Sequence, residues 1–271
     1  MEPVAYRPKK SLGQNFLVDP NLQRKIVEAL DPKPDDEILE IGPGQGALTD
    51  HLVDRCRHLV LVELDRHLAR ELEERYGGRS GVEVFQGDVL VMRLRDLVSS
   101  MEELKVVGNI PYNITTPILF HLLERPRPGE ILLMVQREVA DRVLAPPGEG
   151  EFGALSVGVR TVAHVEKVLQ VPASAFRPAP RVDSTVLRIR PRRPEPLTAR
   201  EEEALRTLTR AAFQRRRKQF QTILRKHPDW GLTHEAVERV EEATGFDLRR
   251  RPETFSPEDF VRLSRFLSGT P

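Results

Sequence analysis

From about residue 22 to residue 140, apolar runs of strand length alternate with stretches whose apolar residues recur at helical spacing. Glu37–Ile41, Leu59–Leu64, Val82–Phe85, Lys105–Gly108 and Ile131–Val135 read as strands, and Asn21–Leu30, Ala47–Val53, Arg66–Tyr76 and Thr115–Leu123 as helices. The strand runs are mostly apolar, interrupted by Glu37, Glu40, Glu63, Glu83 and Lys105. A strand with one wet face alternates, whereas a continuous run is buried on both faces, as in a parallel sheet covered by crossover helices. The pattern therefore predicts an α/β fold. Ligands of such sheets sit outside the carboxyl ends of the strands. Four distinctive residues fall there: Gly42 after the first strand, Glu63 near the end of the second, Asp88 after the third and Asn109 after the fourth. A purely structural sheet needs no glycine, two acids and an amide at those ends.

Beyond residue 140 the pattern changes. Val165–Val171 and Thr185–Ile189 predict a late, hairpin-like strand pair joined by the proline-rich segment 172–180, and Pro191–Pro196 reads as a linker. Helical patterns follow at about 198–212, 214–226, 233–243 and 257–268, with Thr198 and Ser256 as candidate caps. The expected domains are residues 1–190 and 191–271. Charge divides along a similar line. Residues 1–185 hold 23 Lys and Arg against 28 Asp and Glu, whereas 186–271 hold 19 against 13. A basic partner-binding region accounts for that asymmetry, as does a solvated helical surface.

Glu40-Ile41-Gly42-Pro43-Gly44-Gln45-Gly46 follows the first strand. Its glycines let the chain turn sharply and let a ligand approach the backbone. The spacing G-x-G-x-G is not the dinucleotide G-x-G-x-x-G, and the preceding acid repels a phosphate but suits a ligand with a cationic amino group and a sulfonium. Glu63, 21 residues after Gly42, stands where an acid binds ribose hydroxyls. Asn109-Ile110-Pro111-Tyr112 follows the fourth strand. The exocyclic amine of adenine is a poor nucleophile, because its lone pair is delocalised into the ring. An amide oxygen and a backbone carbonyl can accept both its hydrogens and localise that pair. Proline fixes the backbone and offers only a carbonyl, and tyrosine offers a stacking face for an unstacked base. A bare strand-end turn also explains N-x-P-Y; its place beside the other three strand ends favours a site.

These residues carry a family resemblance covering nearly the whole chain. Lys10-Ser11-Leu12-Gly13-Gln14-Asn15-Phe16-Leu17, the glycine loop, Gln86-Gly87-Asp88, Asn109–Asn113 and Phe176-Arg177-Pro178-Ala179-Pro180-Arg181-Val182-Asp183-Ser184 resemble the motifs of the ribosomal RNA adenine dimethyltransferases. The subfamily that it resembles modifies two adjacent adenines near the end of small-subunit (16S) rRNA. Ile110 stands where leucine is more usual. The resemblance implies a Rossmann-like, S-adenosylmethionine-dependent methyltransferase sheet with a small all-helical C-terminal domain that docks RNA. It implies cofactor contacts from Asn15, Leu17, Gly42, Gly44, Glu63 and Asp88, with Asn109 bridging cofactor and target amine. It further implies that Pro111 belongs to the catalytic segment and that Tyr112 and Phe176 flank the target base. Arg215-Arg216-Arg217-Lys218, expected to open the second C-terminal helix, and Arg250-Arg251 are its candidate phosphate contacts.

Other chemistries lack their residues. The seven histidines show no metal spacing, so no metal is expected, and Cys56 is the only cysteine. The cysteine motif of zinc deaminases is missing. No apolar run approaches a membrane span and residues 1–10 have no apolar core, so a cytoplasmic location is expected. A monomer is expected, and the resemblance implies that it acts on the small ribosomal subunit or its assembly intermediate. The rivals are a macrolide-resistance-type methyltransferase of large-subunit rRNA, an assembly factor with secondary methylation, and a dinucleotide oxidoreductase.

Overall fold

The computed structural model describes Tyr6, Pro8, Lys9 and residues 12–269; Lys10 and Ser11 of the N-terminal motif lie outside the described residues. The chain forms two compact units, residues 1–140 with 165–191, and residues 141–164 with 192–271.

The first unit is built on a seven-stranded sheet. Strands β2 (Glu37–Ile41), β3 (His58–Glu63), β4 (Val82–Gln86), β5 (Lys105–Asn109) and β6 (Glu130–Gln136) pair in parallel in the order β4-β3-β2-β5-β6. Every residue of β2 is buried, the two carboxylates Glu37 and Glu40 included. β7 (Ala163–Val171) and β9 (Ser184–Pro191) complete the sheet, with β9 antiparallel to β6 and β7 outside it. The expected late pair is thus adjacent in the sheet. A separate two-stranded ladder joins β1 (Phe16–Leu17) to β8 (Phe176–Arg177), setting Leu17 opposite Phe176. Strand order reverses at β2: the chain moves outward through β3 and β4, then returns to the other side as β5. A crevice opens at such a switch point.

Helices α1 (Pro20–Leu30), α3 (Arg66–Tyr76) and α4 (Thr115–Leu122) follow the predicted spans within a residue, whereas α2 is short, Thr49–Leu52, with turns over 44–48. Asp19 caps α1 and Asp65 caps α3 through their side chains, each contact worth about 1 kcal/mol.

The second unit is helical. Two helices were not expected: α5 (Arg137–Leu144), which straddles the boundary, and α6 (Ala154–Val162). They are followed by α7 (Ala199–Gln214), α8 (Phe220–Lys226), α9 (His234–Thr244) and α10 (Pro257–Leu267). Thr198 and Ser256 form capping boxes with Glu201 and Asp259. Phe152 and Val157 sit in one core with Leu208, Phe220, Phe255 and Phe260. That packing corrects the single cut at 190/191, because 141–164 supplies part of the helical unit's core. Among the described residues no helix is long and apolar enough to cross a membrane, and no group of His, Cys, Asp or Glu is arranged to hold a metal.

Candidate active site

The carboxyl ends of β2, β3 and β5 and the loop after β4 surround one cleft. It is lined by Gly42, Gly44, Glu63, Asp88, Asn109, Pro111 and Tyr112, together with Asn15 and Leu17 from the N-terminal segment. Residues separated by up to 97 positions in the chain are brought together because the parallel strands all end on one side.

Glu63 organises the glycine loop. Its Oε2 accepts the Gly44 N–H at 3.0 Å and its Oε1 accepts the Asp65 N–H at 2.8 Å. Burial pushes its pKa up against those two hydrogen bonds. Each carboxylate oxygen keeps a lone pair for another donor. Gly44 has φ +60°, and a Cβ there would lie 3.0 Å from the Phe16 ring, so both the turn and the close approach require glycine. Glu40 is also buried and accepts the Thr49 hydroxyl at 2.7 Å. Burial, with the nearby Glu63 and Asp50 charges, pushes its pKa up to about 8 despite that bond. Asp88 uses Oδ1 to accept the Leu90 N–H at 3.0 Å.

Asn109 ends β5, and its Nδ2 donates to the Asn15 carbonyl at 3.1 Å. Pro111 holds φ −56°, and its carbonyl accepts the Ile114 N–H at 3.2 Å and the Thr115 hydroxyl at 3.4 Å. The Ile110 carbonyl accepts no hydrogen bond among the described residues. Tyr112 is hydrogen-bonded at 2.7 Å to the buried Ser184 Oγ. Burial raises the phenol pKa, so the ring stays neutral.

The residues matched by the profile of the ribosomal RNA adenine dimethylases are 5–263. The chain belongs to that family. The chain is 43% identical over 269 residues to the ribosomal RNA small subunit methyltransferase A of Moorella thermoacetica, covering 96% of this chain and 92% of that one. The enzyme of the same name from Aromatoleum aromaticum is 40% identical over 265 residues, 97% and 96% of the two chains. Among solved structures, a dimethyladenosine transferase from Plasmodium falciparum superposes with a TM-score of 0.78 at 26% identity, covering 94% of this chain and 98% of that one. The 23S rRNA methyltransferase ErmE gives 0.69 at 30% identity, over 94% and 100%. Chains of this family are S-adenosylmethionine-dependent methyltransferases with a Rossmann-like sheet.

The lining of the cleft fits the family's cofactor. A buried acid held by two backbone N–H groups suits ribose hydroxyls, and at Gly42 the nearest atom to where a Cβ would stand is the Asn109 carbonyl oxygen, 3.7 Å away.

Phe176 departs from the stacking role that the dimethylase resemblance implies. Its ring is 0% exposed and lies in the main core with Leu17, Val171 and Ala175. A ring with no accessible face cannot stack on a base, so in this structure Phe176 anchors the β1–β8 ladder instead. The basic residues also need correction. Arg215–Lys218 lie in the turn between α7 and α8, not at the opening of a helix. Arg216 pairs with Glu253 at 2.5 Å and donates to the Glu149 carbonyl at 3.3 Å. Arg250 donates to the Thr254 carbonyl at 2.7 Å and lies over the Phe255 ring. Arg215, Arg217, Lys218 and Arg251 are exposed. Lys226 and Thr222 line one concavity with Arg215, Arg217 and Lys218. Sequence reasoning missed Ser184 and Asp65 as partners of site residues, because they act through contacts distant in sequence, and it missed Lys226, which joins the cations only because the turn after α7 folds α8 back beside them.

Proposed function

We propose that this chain transfers methyl groups from S-adenosylmethionine to the exocyclic N6 amines of two adjacent adenines near the 3′ end of 16S rRNA, giving N6,N6-dimethyladenine. The observation that carries the reading is Asn109. Its Nδ2 is committed to Asn15, which leaves Oδ1 as the acceptor beside the unclaimed Ile110 carbonyl. Two acceptors and no basic side chain suit an amine that is made nucleophilic by holding both its hydrogens. When bound, the cofactor supplies an electrophilic methyl group. Glu63 accepts ribose hydroxyls, Asp88 accepts an adenine amine, and Asn15, Leu17, Gly42 and Gly44 form the walls. In the first transfer Asn109 Oδ1 and the Ile110 carbonyl hold the two amine hydrogens and direct the lone pair, and in the second one of them holds the hydrogen that remains, while Pro111 keeps that carbonyl's backbone rigid. Tyr112, tethered by Ser184, offers its ring to the unstacked base. The amine sheds its proton after the methyl arrives, so no side chain need remove it beforehand.

The small-subunit target is supported by the names of relatives at about 40% identity across nearly the full chain. The large-subunit alternative rests on ErmE, at 30% identity. Arg215, Arg217, Lys218 and Arg251 contact phosphates in this reading, and Arg216 and Arg250 shape the turns that present them. The enzyme works as a cytoplasmic monomer on the small subunit or its assembly intermediate. The test is mass spectrometry of rRNA from unmodified ribosomes after incubation with the protein and cofactor. Dimethyladenine in the small-subunit RNA is expected; label confined to the large subunit overturns the reading.

A further inference from the structure

The N-terminal segment contributes Leu12 to Leu17 to the cleft. At its far end it is tied down by the two-residue ladder to β8 and by the Val18 N–H, which donates to the Ala175 carbonyl at 2.8 Å. Its near end converges on one side chain. Asp65 is 2% exposed and carries two separate duties. Oδ1 accepts the His67 N–H at 2.9 Å, capping α3. Oδ2 receives the Tyr6 hydroxyl at 2.8 Å, pairs with Lys9 Nζ at 2.7 Å and accepts Gln14 Nε2 at 3.4 Å. Tyr6 further stacks on His67, 5.5 Å between centroids, and meets Phe16 edge-on at 5.8 Å. A helix cap needs one oxygen only. The second oxygen gathers three donors from the segment that walls the cleft.

The connections run onward to both halves of the site. The Asp65 N–H donates to Glu63 Oε1, and Gln14 is followed directly by Asn15, whose carbonyl holds the Asn109 amide. We infer that Asp65 is a positioning residue for methyl transfer: by holding Tyr6, Lys9 and Gln14 it fastens residues 12–17 at the cleft and, through Asn15, aims the Asn109 amide. Burial opposes its ionisation, but Lys9, Tyr6 and the His67 N–H outweigh it and hold its pKa near 2, so the fastening persists across the working pH range. The inference rests on the cofactor reading given above.

The test uses the full chain and S-adenosylmethionine titrated by calorimetry. Asp65→Asn retains an acceptor for the α3 cap but removes the charge that Lys9 and Tyr6 engage. Its expected effect is about tenfold weaker cofactor binding, the scale of one charge-assisted hydrogen bond, with a kcat that also falls because the Asn109 amide is less well aimed. The Tyr6→Phe/Lys9→Met variant, which leaves Asp65 and its cap intact, should show the same loss. Combining all three substitutions should then add little, since they break one connection. Hydrogen exchange of residues 12–17 should rise in each variant while α3 stays protected. Wild-type affinity and kcat in Asp65→Asn, or losses that add in full, overturn the inference. A wild-type chain that binds no S-adenosylmethionine instead sinks the cofactor reading on which it rests.

Discussion

Replacing Glu63 by Gln changes one oxygen into an NH2 and leaves the shape almost unchanged. In the native site, Oε1 and Oε2 each accept a backbone N–H, from Asp65 at 2.8 Å and Gly44 at 3.0 Å. Whichever way the new amide turns, one of those donors faces another donor. Losing a hydrogen bond to a charged acceptor costs about 1.5–3 kcal/mol. The neutral amide recovers part of this, because burial disfavours the Glu63 carboxylate and pushes its pKa up. The net cost to the fold is therefore about 1–2 kcal/mol, a few degrees in melting temperature. Cofactor binding loses one charged acceptor for a ribose hydroxyl without that compensation, which is roughly 10- to 150-fold in Kd. Calorimetric titration with S-adenosylmethionine and filter binding of rRNA, run on the same preparation, read the two effects. A folded variant with near-native cofactor affinity refutes the assignment. Equal losses of cofactor and RNA affinity refute the assignment of Glu63 to the cofactor alone.

Asn109→Ala should lower kcat on the order of 100-fold, the usual scale for removing a positioned polar group, while rRNA affinity stays within twofold; retained turnover removes the amide from the chemistry. Replacing Arg215, Arg217 and Lys218 together by Ala should flatten the salt dependence of rRNA binding by about 0.7–0.9 in log–log slope per lost phosphate contact. Arg216→Ala, which breaks the pair with Glu253, should lower the melting temperature and leave that slope unchanged, and the opposite pattern would reverse the sorting of these cations. Glu40 has its pKa raised to about 8 by burial. Its contribution to stability is therefore full below the ordinary carboxylate pKa and is lost as pH rises through about 8. Glu40→Gln, neutral throughout, should melt increasingly above the wild type between about pH 5 and pH 9, and a pH-independent difference would show that Glu40 ionises in the fold like an exposed carboxylate.

The sheet was legible because burial writes mostly apolar runs of strand length, Ile131–Val135 throughout, and the strand ends that line the cleft followed from those runs. What escaped was set by contacts between distant residues. Helix α6, Ala-Leu-Ser-Val-Gly-Val-Arg-Thr-Val, is rich in β-branched residues and has a glycine, so its local preference is not helical. It is held by packing against α7 and α10, which sequence pattern alone does not reveal. The run Phe213–Lys218 contains no helix breaker, yet the helix stops at Gln214. The next turn is held from outside, where the Phe220 N–H donates to the Arg250 carbonyl and the Gln221 N–H to the Leu248 carbonyl. Arg216 looked like a free cation for the same reason, because its partner Glu253 is 37 positions away; Arg250 is held instead by the local turn that carries Thr254 and Phe255. Phe176 shows the converse. Its motif was recognisable, but its depth depends on the pairing of β8 with β1, about 160 residues apart.

The orientation of the Asn109 amide bears most directly on the chemistry. An amide presents either an acceptor or a donor to a neighbour, and the two ends are distinguished by their partners. Asn15 offers a carbonyl, which can only accept, so Nδ2 must face it and Oδ1 must face away. The reverse orientation would set two oxygens against each other and turn an NH2 toward the target amine, where it would repel the hydrogens that need an acceptor. The polarity of the site therefore does not reside in Asn109 alone. It is imposed by a backbone group of the N-terminal segment, 94 positions away in the chain. In the proposed mechanism this makes that segment part of the catalytic apparatus although none of its side chains need touch the amine.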